Sequence, residues 1–257
     1  FSASLLSRFE NGQSEISAQK LFAALENIHA NVEELLFLAR DFHHDANSEF
    51  RNQLFKAVNP KDLTSLHTLY QREYQKIPFS KDKQEHILNA ILIKSYMKAI
   101  DETITLTSEE ERVLHDYLFS VEIWGLYELS FFSSCSPLLS VQLLTKYTRE
   151  MLRKSDFLQG VGKNRNMMHT LLLNGFMACI EVDDFTNALY FKKQIEKNFF
   201  EENETYFRIV YLWAEGLLDS KQGRVEDGQR KMEDAVRIFE MIGCSKSADY
   251  YRSAIEC

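Results

Sequence analysis

Apolar residues recur along the chain at the three- and four-residue spacing of one helix face, and short polar residues mark where each stripe begins. Ser2 predicts a helix through about Asn11, closed by Gly12, which has no Cβ to clash at positive φ. Ser17 opens a second helix whose Leu21, Phe22, Leu25 and Ile28 share a face. Asn31 opens a third, with Glu34 placed to reach back as in a capping box and Leu35, Leu36, Leu38 and Phe42 as its stripe. Three short helices thus fill residues 2–42, and the polar run His43-His44-Asp45-Ala46-Asn47 marks a boundary. Longer helices follow. Asn59-Pro60 is a cap with proline in the first turn, ahead of Leu63, Leu66, Leu69 and Tyr70. Ile77-Pro78-Phe79-Ser80 breaks that helix and caps another to about Ile100. Ser108 with Glu111 predicts a capping box, and Ser136-Pro137 a further cap before Leu138, Leu139, Leu143 and Leu144.

From about residue 120 the helices read as antiparallel pairs. Asn174-Gly175-Phe176 through Ala188 aligns with Ala214-Glu215-Gly216 through Gly228, a separation of about forty residues. Each segment has a small residue in its first helix and a polar turn before its second. Small residues let neighbouring helices approach closely, as tetratricopeptide-like stacking requires.

Composition narrows the class. Nine glycines and three prolines in 257 residues are too few for the turns of a sandwich or barrel. Cys135, Cys179, Cys244 and Cys257 are widely spaced with no CxxC pair, which fits buried thiols in a reducing cytoplasm. No apolar run approaches the about eighteen residues of a membrane span, so no membrane partner is expected. The N-terminus carries neither a signal-peptide layout nor an initiator methionine, which predicts that the sequence starts inside a longer protein. A net charge of −8 argues against wholesale polyanion binding, and residues 1–40 hold only Arg8, Lys20 and Arg40 as strong bases. Any contact with DNA must therefore be local.

Two stretches could carry function. In Ser2–Gly12, Ser2, Ala3, Ser4, Ser7 and Arg8 can face outward with Leu6 and Phe9 inward, as a helix lying in the DNA major groove requires. Only Arg8 has the forked donors that grip guanine or phosphate twice, while the serines and Ala3 suit short contacts. The plainer reading, a small amphipathic helix with a solvated serine face, stays open beside it. In the paired helices, the first member of each pair lines the groove of a solenoid. That face reads Trp124, Tyr127 and Phe131, then Asn166, Thr170, Leu173 and Met177, then Tyr206, Val210, Trp213 and Leu217. Such a groove suits an apolar peptide whose backbone or carboxylate Arg165, Asn166, Asn174 or Arg208 could satisfy. The competing reading places most of these side chains in the core between helices. Adjacent histidines point to different sides of a helix, so His43-His44-Asp45 reads as a linker before it reads as a metal site, and His115, Asp116 and His169 have no partner at ligand spacing. No GxSxG, P-loop, HExxH or dinucleotide fingerprint is present, so neither catalysis nor a cofactor is expected.

The phrases SRFENGQSEIS and KLFAALENIHANVEELL resemble the recognition helix and later helices of Cro/phage-repressor-type domains, and, with VEIWGLYELSFFSS, are similar to the Rgg/GadR/MutR regulators of Gram-positive bacteria. The resemblance covers essentially the whole chain. It implies a DNA-binding domain joined to tetratricopeptide-like helix pairs, a homodimer, and a response to short hydrophobic pheromone peptides of the quorum-sensing kind. It further implies that roughly thirty residues, the first two helices of the DNA-binding domain, are absent here. Ser2, Ala3, Ser4, Ser7 and Arg8 match the groove-facing positions and Glu10-Asn11-Gly12 the turn after them.

The expected molecule is all-α: a partial helix-turn-helix over residues 1–42, a linker and connecting helix over 43–58, and a right-handed helical-repeat domain for peptide sensing and dimerisation over 59–257. Its expected partners are operator DNA, a short hydrophobic peptide and a second copy of itself. The main alternatives are a helical-repeat scaffold that binds a protein without DNA, and an enzyme with an unrecognised helical-bundle site.

Overall fold

The computed structural model describes residues 2–39, 46–58, 62–154 and 160–255, and these are helical and turn structure with no strand. The helices are α1 (Ala3–Glu10), α2 (Ala18–Asn27), α3 (Val32–Ala39), α4 (Ala46–Val58), α5 (Leu63–Lys76), α6 (Lys83–Lys98), α7 (Ser108–Ser120), α8 (Leu126–Cys135), α9 (Val141–Lys154), α10 (Gly162–Glu181), α11 (Phe185–Lys197), α12 (Thr205–Lys221), α13 (Val225–Met241) and α14 (Ser245–Ser253). They form two compact units, Phe1–Asp62 and Leu63–Cys257. The sequence features at His43-His44-Asp45, Asn59-Pro60, Phe42 and Cys257 lie outside the described residues.

Local chemistry starts and stops the helices. The Ser2 and Ser17 hydroxyls accept from the backbone N–H of Leu5 and Lys20. The Glu34 carboxylate accepts from the Asn31 N–H at 3.0 Å, and the Asn31 side chain accepts from Glu33. Among the described residues, five helix ends share one closure, in which an N–H reaches back five residues across a residue of positive φ. Gln13 donates to Arg8, Ala30 to Leu25, Asp184 to Cys179, Arg224 to Asp219 and Cys244 to Phe239. The left-handed residues are Gly12, His29, Asp183, Gly223 and Gly243.

Three starts differ from the sequence expectation. The capping box at α7 uses Thr107 and Glu110, one residue before Ser108 and Glu111. The shift follows from burial: the Glu110 carboxylate is fully inside, accepting from Tyr70 and Tyr74 on one oxygen and from Lys94 Nζ at 2.6 Å and the Thr107 N–H at 2.7 Å on the other. Burial pushes this carboxyl up, but Lys94, the Thr107 amide and Tyr70 together hold it below the usual carboxylate range. The two proline segments, Ile77–Phe79 and Ser136–Leu138, are short 3₁₀ turns; α6 is capped by Asp82, and α9 begins only at Val141.

In the second unit, α5 packs on α6, α6 on α7 and α8, and α10 on α8, α9, α11 and α12; α12 pairs with α13, and α13 with α14. The hairpins α10–α11 and α12–α13 are the two segments that align in sequence. Their small residues explain the close packing. A Cβ on Gly175 would meet the Phe191 ring at 2.5 Å, and one on Gly216 would meet the Gly228 carbonyl oxygen at 2.6 Å. Phe176, Phe191, Trp213 and Phe239 fill the core that these helices share.

Candidate functional site

The helices α10 and α12 are the first members of successive hairpins, and they pack on each other. Where both begin, the chain surrounds a cavity of about 820 Å³ lined by Gly160, Gly162, Arg165 and Asn166 from the start of α10, and by Glu201, Asn203, Glu204, Tyr206 and Phe207 from the start of α12. The size suits a ligand of several residues' bulk, since small-molecule sites run from about 300 to 1,000 Å³.

Arg165 anchors this site. Its Nε donates to Glu204 Oε1 at 2.9 Å, and its Nη2 donates to Glu204 Oε2 at 3.1 Å and to the Phe199 carbonyl at 3.3 Å. Glu204 in turn accepts from the Glu201 N–H at 2.7 Å. The Arg165 bonds hold the Glu204 carboxyl below its usual range, and Glu204 raises Arg165 further. Beneath the pair lies His169, 3 % exposed, in edge contact with Phe200. Its Nε2 is 3.5 Å from Glu204 Oε2, too long for a good hydrogen bond, and neither ring nitrogen has a hydrogen-bond partner among the described residues. Burial keeps this imidazole below its ordinary pKa, with Glu204 opposing. Arg208 is committed elsewhere, donating to the Glu201 and Phe200 carbonyls and covering the Phe199 ring.

Of the peptide-facing residues expected from sequence, Arg165, Asn166 and Tyr206 come together at this cavity. Thr170, Asn174, Met177 and Leu217 are half-buried farther along α10 and α12, and Tyr127 is exposed on α8. Trp124, Phe131, Leu173, Val210 and Trp213 are buried instead. Trp124 packs on Phe132, Phe131 on Tyr117, and Trp213, 4 % exposed, on Tyr251. These five side chains point between helices because neighbouring helices compete with the groove for the same apolar stripe, and packing wins their surface. Sequence reasoning missed Asn203, Glu204 and Phe207. The Arg165–Glu204 pairing spans 39 residues, and no local spacing encodes it.

In the first unit, Ser2, Ala3, Ser4, Ser7 and Arg8 are all exposed on α1. Leu6 is half-buried, but Phe9 is 37 % exposed and α1 buries no residue fully. The expected full inward turn of Phe9 is therefore not seen.

The C-terminal domain of the HTH-type transcriptional regulator Rgg matches this chain over residues 67–253. The chain belongs to the Rgg family. Among solved structures, this Rgg-family chain is 27 % identical to the SHP pheromone receptor Rgg2 of Streptococcus dysgalactiae, with a TM-score of 0.82, covering 99 % of this chain and 89 % of that one. A protein of Listeria monocytogenes EGD-e described as a transcriptional regulator shares its fold at a TM-score of 0.80 and 20 % identity, covering 100 % of this chain and 88 % of that one. PrgX in its complex with cCF10 shares the fold at 0.70 and 16 % identity, covering 100 % and 89 %. The family accounts for the all-helical repeat architecture and assigns the chain to transcriptional regulation.

Proposed function

We propose that this Rgg-family regulator reads operator DNA through α1 and answers to a short hydrophobic peptide held by the paired helices, as a cytoplasmic homodimer without catalytic activity. The observation that carries the peptide reading is the cavity at the start of α10 and α12, where a fixed cation, two amide side chains and two rings meet. The description of Rgg2 as a pheromone receptor supports the same reading. Arg165, Asn166 and Tyr206 make first contact. Tyr127, Thr170, Asn174, Met177 and Leu217 extend the surface, and Trp124, Phe131, Leu173, Val210 and Trp213 back it from within. Ser2, Ala3, Ser4, Ser7 and Arg8 are the DNA-facing set, with Arg8 the strongest donor. In domain terms, residues 1–42 belong to the DNA-binding part, 43–58 connect, and 59–257 sense and dimerise. Peptide in the cavity biases the arrangement of the two copies by no more than its difference in affinity for the two arrangements.

The test is titration of a fluorescent fragment of the regulator's own promoter against the intact native protein at two salt concentrations. Sequence-selective binding that Arg8→Ala weakens by about 1–3 kcal/mol is the expected result. Equal affinity for promoter and scrambled duplex would replace the regulator reading with a helical-repeat scaffold for a protein partner.

A further inference from the structure

Building on the peptide-binding reading, we propose that Arg165 receives the C-terminal carboxylate of the peptide, so that the cavity at the start of α10 and α12 seats the ligand's last residue. A guanidinium carries five N–H donors in a rigid fork. In Arg165 the Nε donor and the Nη2 donors are taken by Glu204 and the Phe199 carbonyl, while Nη1 has no partner among the described residues. The side chain is 21 % exposed and lines the cavity, so the unused edge of the fork is held rigid at its wall. Ordering that edge costs nothing at binding, because Glu204 has already fixed it.

Its surroundings fit a chain terminus. The 20-residue α10 and the 17-residue α12 both start here, and the positive ends of their dipoles favour an anion. Asn166 and Asn203 can pair with the peptide groups just before the carboxylate. Tyr206 and Phe207 offer rings to an apolar last side chain. Arg208, another cation nearby, is held by Nε and Nη2 on carbonyls of the preceding loop and does not line the cavity. The rival anchor is a peptide ammonium on Glu201, but that side chain is 66 % exposed, where water and salt screen its charge.

The test uses intact protein and a pool of octapeptides built from Leu, Ile, Phe, Gly and Ser, made in four forms: free or acetylated at the N-terminus, acid or amide at the C-terminus. Equilibrium dialysis read by mass spectrometry gives the retained fraction of each form. Acids should be retained about tenfold better than the matching amides, with or without acetylation. That difference should vanish in the double variant Arg165→Gln, Glu204→Gln, which keeps a hydrogen-bonded pair across the two helices while amide forms remain bound. Equal retention of acids and amides overturns the carboxylate assignment and leaves peptide binding standing. So does a preference that follows the free amine, or an acid preference that survives in the double variant. If a folded protein retains none of the forms, peptide binding and the carboxylate assignment fall together.

Discussion

The units Phe1–Asp62 and Leu63–Cys257 both carry side-chain caps at helix starts and are buried very unequally. Ser2, Ser17 and Asn31 satisfy helix starts in the first as well as Asp82, Thr107 and Asp184 do in the second. The same left-handed closure ends helices in both. Yet in the first unit Leu25, Leu54 and Ala57 are the buried apolar residues among those described, while Phe22, Ile28 and Leu38 remain exposed and an apolar hollow of about 450 Å³ opens between α2 and α3. Helices of eight to ten residues are marginal on capping alone. Stability therefore resides where faces are covered, and capping only decides where a helix begins.

The sharpest way to break this comparison is to hollow the larger core. Trp213→Ala should cost about 3–5 kcal/mol in chemical denaturation, the loss typical of a buried tryptophan. A loss below about 1 kcal/mol would mean that Trp213 is not structural and would return it to the groove. Removing the buried carboxylate is next. Glu110→Ala strands Lys94 with a charge and two tyrosine hydroxyls without their acceptor, and should cost about 3 kcal/mol or more. A Lys94→Met, Glu110→Leu double variant should recover much of that loss.

Gly228→Ala follows, because the new Cβ would sit 2.5 Å from the Gly216 carbonyl oxygen and 2.6 Å from the Ser220 amide nitrogen. Backbone cannot yield as a side chain can, so about 2–3 kcal/mol is expected from overpacking, read as a lowered melting temperature. An unchanged midpoint would show that α12 and α13 are looser than their separation implies.

A smaller effect is expected from pH. Since burial keeps His169 below its ordinary value of 6.5, the unfolded chain binds more protons than the folded one between the lowered value and 6.5. Stability should therefore fall as the pH drops through that window and be fully present above it. Melting curves of native protein and His169→Leu at about pH 7.5 and about pH 5.5 should differ in slope, with the variant the flatter. The smallest effect belongs to the first unit: Phe22→Ser, on an exposed face, should stay within about 0.5 kcal/mol of the native protein. A loss comparable to that of Trp213→Ala would show that the first unit has a core which exposure conceals.

Much of this architecture is legible in the sequence. Ser2, Gly12, Ser17 and Asn31 named their helix ends, and Gly175 and Gly216 marked the repeated hairpin. Where the structure departs from the sequence expectation, a distant partner intervenes. The α7 box moved from Ser108 to Thr107 because Lys94, Tyr70 and Tyr74 draw Glu110 inside. Phe131 and Trp213 share a helical stripe with true surface residues, and periodicity alone does not say which neighbour claims them; Trp124 lies in the turn before α8.

By itself, then, the order of residues determined most of the helices, the closure at Gly12, the pairing of hairpins and the family, because each of those rests on interactions within about five residues or on a repeated pattern of side-chain size. The tertiary structure alone decided which members of the stripe stay within reach of a ligand, and that Arg165 meets Glu204 over a buried His169. Those outcomes depend on competition for surface among helices far apart in the chain, and no local spacing records the winner.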